Sequence, residues 1–238
     1  MDKRVTELQH VLKKMEMVDL SHTLEPNIPS WPTHAKFFHN LVASYEFGDE
    51  ACHYQLVMSE HSGTHVDSPL HFISAGKAHY GIEQIPLSTF SGRAATISAT
   101  DVGKKGLLRV SHVQDWEAEN GNIEEDDIVL IHFGWDRFWN TRPHANDFLT
   151  DWPGLSLEAA EYFVQKKVKM VGTDVLALDV YGTTEHPAHH TLLGNEILIM
   201  ENLNHLDRLP PFSYFMGFPL KIKNGSGSPI RAVAYIPK

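Results

Sequence analysis

His61-Ser62-Gly63-Thr64-His65-Val66-Asp67-Ser68-Pro69-Leu70-His71 sets three imidazoles and one carboxylate within eleven residues. A helix is a poor host for this stretch. Gly63, Thr64, Val66 and Pro69 disfavour it, and on a helix Asp67 and His71 would point away from His61 and His65. An extended chain serves better: positions 61, 65, 67 and 71 are all odd, so alternation at period two sends the four side chains to one side. Gly63 and Pro69 adjust the path by a bulge or bend. His, His and Asp are the hard-to-borderline donors that hold Zn²⁺, Mn²⁺ or Fe²⁺ while leaving positions open for water. Structural zinc sites usually close their shell with cysteine, and the chain has one cysteine, Cys52. That count also excludes an intramolecular disulfide and CxxC redox chemistry.

Outward from this segment, 238 residues with 42% hydrophobic and 21% charged are enough to bury a sizeable core. No repeat, linker or block of like charge marks a boundary, so one domain is expected. Twenty Lys+Arg against 30 Asp+Glu leave a formal charge of −10, which repels phosphate backbones and argues against nucleic acid as a partner. No apolar run approaches the ~18 residues of a membrane span, and the first residues are too charged for a signal peptide. With the single cysteine, this points to a cytoplasmic protein with no membrane partner.

Val5, Leu8, Val11, Leu12 and Met15 recur at helical spacing and predict an amphipathic leading helix over 1–16, ahead of the main domain at 17–238. Ser111 with Gln114 resembles a capping box for a helix over 112–120, closed by Gly121. Ser156 opens another through LEAAEYFVQKKV. Short runs at 18–21, 54–59, 94–98, 128–132, 169–173, 197–200 and 232–236 read as strands. Several are continuously apolar, which predicts sheet covered on both faces. Residues 224–229 form a turn between late strands. The fold class is α/β, with more strand than helix.

HSGTHVDSPLH matches HxGTHxDxPxH at every fixed position. In this the chain resembles the cyclase family of metal-dependent hydrolases, which includes bacterial kynurenine formamidase (arylformamidase) and isatin hydrolase. Ile28-Pro29-Ser30-Trp31-Pro32, Gly134-Trp135, the stretch from His189 to Glu201-Asn202-Leu203 and Ser228-Pro229-Ile230-Arg231-Ala232 are similar to the family in the same order, so the resemblance spans residues 17–236. It implies the family's swivelling β/β/α fold in a single domain. It implies His61, His65 and Asp67 as metal ligands and His71 as general acid/base. His189 and Glu201, twelve residues apart, complete a second metal position, with the adjacent His190 as the alternative ligand. Trp31 falls where the family lines its substrate pocket with an aromatic residue, though between two prolines it could equally pack on its own loop.

The implied activity is hydrolysis of an amide bond, in an aryl formamide such as N-formylkynurenine or a cyclic amide such as isatin. It is served by one or two divalent ions, Zn²⁺ or Mn²⁺, in a homodimer or homotetramer. On the residues alone, Glu201 ends an apolar strand, where a carboxylate needs a partner or a metal, and His189 reads as a loop residue. His34 and the other scattered histidines read as surface groups, while His53 and His79 are candidates to orient the ligands. His132, ending an apolar strand beside Gly134-Trp135, reads as a core histidine, with a pocket-facing one as the alternative. Asp174 and Asp179 read as pocket-floor residues or helix caps. No GxSxG elbow occurs and Cys52 has no activating setting, which argues against covalent catalysis. A metal- or small-ligand-binding protein without turnover is the other reading, and it would have no need of His71.

Overall fold

The computed structural model describes residues 2–238. Alternation of side chains explains the architecture. On the central strands β5 (Ser91–Ser98), β7 (Ile128–His132), β9 (Met170–Thr173) and β10 (Leu198–Glu201), Ala95, Ile97, Val129, Ile131, Val171 and Ile199 point to one buried layer. Ala94, Ile128, Leu130, Met170, Leu198 and Met200 point to another. Both faces are covered, so the runs are continuously apolar, as expected. These four strands run parallel. Further antiparallel strands complete a nine-stranded sheet: β1 (Met15–Asp19), β4 (His65–Asp67), β11 (Phe212–Met216), β12 (Gly227–Pro229) and β13 (Val233–Pro237). The order is β1-β13-β11-β5-β7-β9-β10-β4-β12. The helices α2 (Val110–Asn120), α3 (Leu157–Lys166) and α4 (Pro187–Gly194) supply Val113, Phe163 and Leu192 to the first layer. This is a single α/β domain with more strand than helix, as the sequence predicts.

Several local expectations change. The leading helix, α1 (Lys3–Lys13), is capped by Asp2, which accepts a hydrogen bond from Arg4 N at 3.0 Å. It ends at Lys13 because residues 15–19 pair with β13; Met1 lies outside the described residues. Helix α2 starts at Val110 rather than 112, and its start is tied by His112 Nδ1 accepting from Arg109 N at 3.0 Å, not by Ser111 and Gln114. Ser156 caps α3, as expected, accepting from Ala159 N at 3.3 Å. The strand expected over 54–59 forms as β3 (His53–Val57), but pairs with β2 (Phe38–Ala43) in an exposed two-stranded arm rather than a covered sheet. A short parallel pair, β6 (Leu107–Leu108) and β8 (Gly154–Leu155), lies apart from the main sheet. Among the described residues, no helix is long and apolar enough to cross a membrane.

Register positions the chemistry. Residue 201 of β10 lies opposite residue 65 of β4, and Ile199 opposite Asp67. With Val66 buried in the second layer, His65, Asp67 and Glu201 must face the other way, towards α4.

Candidate metal centre

The motif is not one extended run. Only residues 65–67 are strand; His61 sits in a turn before it, and Pro69–His71 make a single 3-10 turn after it. A turn on each side therefore brings the odd-numbered side chains together, in place of continuous alternation. Gly63 adopts φ +62° on the way in, and a Cβ there would lie 2.5 Å from Leu24 Cδ2. A left-handed conformation costs an L-residue about 1–2 kcal/mol. Gly63→Ala is therefore expected to lower unfolding stability by at least that amount in urea titration, and an unchanged midpoint would contradict the strain. Gly227 answers a second close approach, since a Cβ on β12 would come within 2.7 Å of His61 Cε1.

The turn–strand–turn path packs the donors tightly. His61 Nδ1 is 2.7 Å from Asp67 Oδ1, and its Nε2 is 3.0 Å from Ser226 Oγ. Ser226 in turn donates to Glu60. His65 Nδ1 is held 2.8 Å from Gly63 O, which turns Nε2 towards Asp67 Oδ1 at 3.4 Å and Glu201 Oε2 at 3.5 Å. Fixing one ring nitrogen by a carbonyl in this way orients the other for a ligand. His71 stacks on His61 with ring centroids 4.0 Å apart. Neither of its ring nitrogens has a protein hydrogen-bond partner among the described residues.

The second half of the centre comes from α4 and β10. His189, expected in a loop, lies on α4. Pro187 suits the first turn of this helix, and the buried Asp179 caps it, accepting from Ala188 N at 2.8 Å and His189 N at 3.0 Å. The same carboxylate lies 2.6 Å from His189 Nδ1. Asp179 is thus both cap and orienting group. His189 Nε2 then points to Glu201 Oε1 at 3.1 Å and Asp67 Oδ2 at 3.8 Å, while Leu178 N donates to Glu201 Oε1 at 2.8 Å. His190 is exposed and outside the cluster. The structure brings His61, His65, Asp67, His71, His189 and Glu201 into one group.

This group calls for positive charge. Burial pushes the carboxyls of Asp67 and Glu201 up, but the neighbouring imidazoles outweigh it and hold both well below the usual carboxylate range. Burial pushes the His189 ring down, yet the carboxylates of Asp179 and Glu201 reverse the sign and raise it to about 10. His65 is raised in the same way, by Glu201 and Asp67 against burial. Asp67 Oδ2 is buried with no hydrogen-bond partner. An oxygen of an anionic, wholly buried carboxylate that accepts no hydrogen bond, with the His189 ring 3.8 Å away, is costly unless a cation comes closer. Nitrogen and oxygen donors converging on such an atom fit a divalent ion, which takes the place of the imidazole protons.

A cavity of about 160 Å³ opens onto the cluster. Trp31 lines it and packs edge-on against Trp152 at 6.2 Å, on a distant segment rather than on its own loop. Phe72, Leu176 and Ala177 form apolar wall, and Asn202, His34 and His186 add polar groups. Sequence reasoning missed His34, Phe72, Leu176, Ala177 and His186 as lining residues. Of these, His34 had the one available signal, lying three residues beyond Trp31. His53 is on the exposed arm and His79 binds Ile73 O at 2.6 Å, so neither orients a ligand. His132 lines a different hollow.

Comparison with known proteins agrees with this geometry. The sequence model of the family Cyclase, described as "Putative cyclase", matches residues 18–180. The chain is 31% identical over 216 residues to a kynurenine formamidase of Erythrobacter litoralis, covering 90% of this chain and 91% of that protein. It is 29% identical over 226 residues to a kynurenine formamidase of Bacillus cereus, covering 93% and 98%. Isatin hydrolase A from Labrenzia aggregata, solved with benzyl benzoate bound, superposes with a TM-score of 0.88 at 28% identity, over 100% of this chain and 99% of that one. The alignment therefore takes in the leading helix as well. With the motif, the fold and the clustered donors in agreement, the chain belongs to the cyclase family.

Proposed function

We propose that this protein is a metal-dependent hydrolase of amide bonds, with His61, His65, Asp67, His189 and Glu201 as the metal-binding set and His71 as general acid/base. The buried Asp67 Oδ2, which accepts no hydrogen bond, carries this reading, and the amide-cleaving relatives support it. One or two ions of the Zn²⁺ or Mn²⁺ class suit three imidazoles and two carboxylates, with Asp67 able to serve both. Such an ion supplies a Lewis acid for the amide carbonyl and makes water acidic enough to attack at neutral pH.

The chain's own groups do the rest. Burial lowers the His71 ring to about 4, only partly opposed by Asp67, so at neutral pH it is an uncharged acceptor. Its free ring nitrogen takes the proton of the attacking water, and the Asp67 carboxylate steadies the resulting imidazolium. The same proton then passes from His71 to the departing nitrogen. Asp179 and Gly63 O keep the rings of His189 and His65 from turning. A protein that only bound ligands would have no use for a bare imidazole stacked beside the metal-binding set.

The cavity favours a compact, flat substrate. At about 160 Å³ it is similar in size to engineered cavities that hold benzene, and among the described residues neither Lys nor Arg lines it to receive an amino-acid carboxylate. Trp31 and Phe72 supply aromatic contacts. We therefore expect a cyclic aryl amide such as isatin to be hydrolysed with kcat/KM at least about tenfold above N-formylkynurenine, a difference of ~1.4 kcal/mol. Both should be assayed side by side on metal-loaded protein. A preference for N-formylkynurenine would reverse the substrate assignment, and hydrolysis of neither would overturn the amide reading.

A further inference from the structure

We propose a second divalent-cation site, separate from the catalytic cluster, built from His132, Asp136 and Asp174 at the carboxyl ends of β7 and β9. One ligand atom from each of the three lies within 4.8 Å of the others, yet no His132 nitrogen comes within 4.0 Å ion-pair distance of either carboxylate. Neither ring nitrogen has a hydrogen-bond partner among the described residues. The gap is too wide for a hydrogen bond and matches two ligand bonds of about 2.0–2.5 Å meeting at an ion.

Both carboxylates are held in place by backbone donors. Phe133 N and Trp135 N donate to the two oxygens of Asp174 at 2.9 and 2.8 Å. Arg137 N and His205 N donate to those of Asp136 at 3.0 and 3.1 Å. A carboxylate oxygen accepts more than one contact, so each keeps a lone pair for a metal, as oriented ligands do. Asp174 is 0% exposed and no Lys or Arg pairs with it among the described residues. Burial pushes the Asp174 carboxyl up to about 6, and a cation at its oxygens would favour the charged form instead.

Thr96, 7% exposed with a buried hydroxyl that has no partner, lines the adjoining hollow that shares His132 with this site; Asp136 and Asp174 do not line that hollow. Arg137 is the competing cation: it lines the mouth, stacked on Phe138 at 4.7 Å, and forms no ion pair with Asp136. One nitrogen and two carboxylates suit Mn²⁺ or Zn²⁺. An ion there ties the end of β7 to the end of β9, from which the chain runs on to Leu176 and Ala177 in the catalytic cavity, and through Asp136 to the 204–207 segment.

Equilibrium dialysis of the full chain against Mn²⁺ alone, followed by electron paramagnetic resonance, tests this. His132→Ala with Asp136→Asn is expected to bind one Mn²⁺ fewer per chain than wild type, keep its amide hydrolysis within about twofold, and lose part of the Mn²⁺-induced rise in Tm. His132→Gln, which keeps the side chain's bulk, serves if the double variant does not fold and should lose the same equivalent. Equal Mn²⁺ stoichiometry in wild type and a folded variant would overturn the site, whether or not the catalytic assignment stands.

Discussion

Asp67→Ala protein is expected to lose bound metal and to hydrolyse amides at least about a thousandfold more slowly, ~4 kcal/mol of transition-state stabilisation. The size follows from position. Asp67 is the one carboxylate that meets three imidazoles, through Oδ1 at 2.7 Å from His61 and 3.4 Å from His65 and through Oδ2 at 3.8 Å from His189. Removing it leaves those rings, two of which are raised or held by carboxylates, facing each other without a shared anion. Breaking a buried ionic group of this kind commonly costs 3–5 kcal/mol of stability as well, so Asp67→Asn, which keeps the shape, is the companion variant. Metal content by atomic absorption and near-ultraviolet circular dichroism separate loss of the ion from loss of the fold. A folded Asp67 variant with full metal and full turnover would refute the assignment.

His71→Ala is expected to behave differently. It stacks on His61 and lies within 4.8 Å of Asp67, but makes no hydrogen bond or ion pair with a carboxylate among the described residues, so metal content should stay at the wild-type level. Turnover should fall by about 10²–10⁴, the usual worth of a positioned proton-transfer group, with KM within a few-fold. The split between kcat and KM matters because a merely structural His71 would also disturb substrate binding through Phe72, whose ring lies 4.7 Å away. Titrating Mn²⁺ into wild type and variant, alongside steady-state kinetics, reads both quantities. Loss of the metal would make His71 a ligand, and undiminished kcat would remove it from catalysis.

The two variants concern residues that were legible because they are neighbours in sequence. Residues 61–71 carry their donors on one short path, and the resemblance to the cyclase family added His189 and Glu201 to the set. The conformation was less legible. The shared odd numbering suggested one extended strand, whereas Gly63 and Pro69 end the extension after three residues. Helix α4 escaped notice because its cap is Asp179, nine residues before Ala188, while the position directly before the helix is His186 rather than Ser, Thr or Asp; Pro187 was the remaining signal. His34, His186, Leu176 and Ala177 reach the cavity from three separate segments, and nothing in any one segment announces that meeting. The β2–β3 arm shows the opposite failure: the short run at 54–59 correctly reads as strand, but local pattern cannot say whether a sheet will cover it.

The central claim is that hydrolysis depends on an ion held at Asp67. Stripping the wild-type protein with chelator and restoring Mn²⁺ or Zn²⁺ in steps, with isatin hydrolysis followed at each step, tests it most directly. Activity should vanish on stripping and return in proportion to metal bound, with no return in Asp67→Ala. Full turnover by metal-free protein would contradict the account.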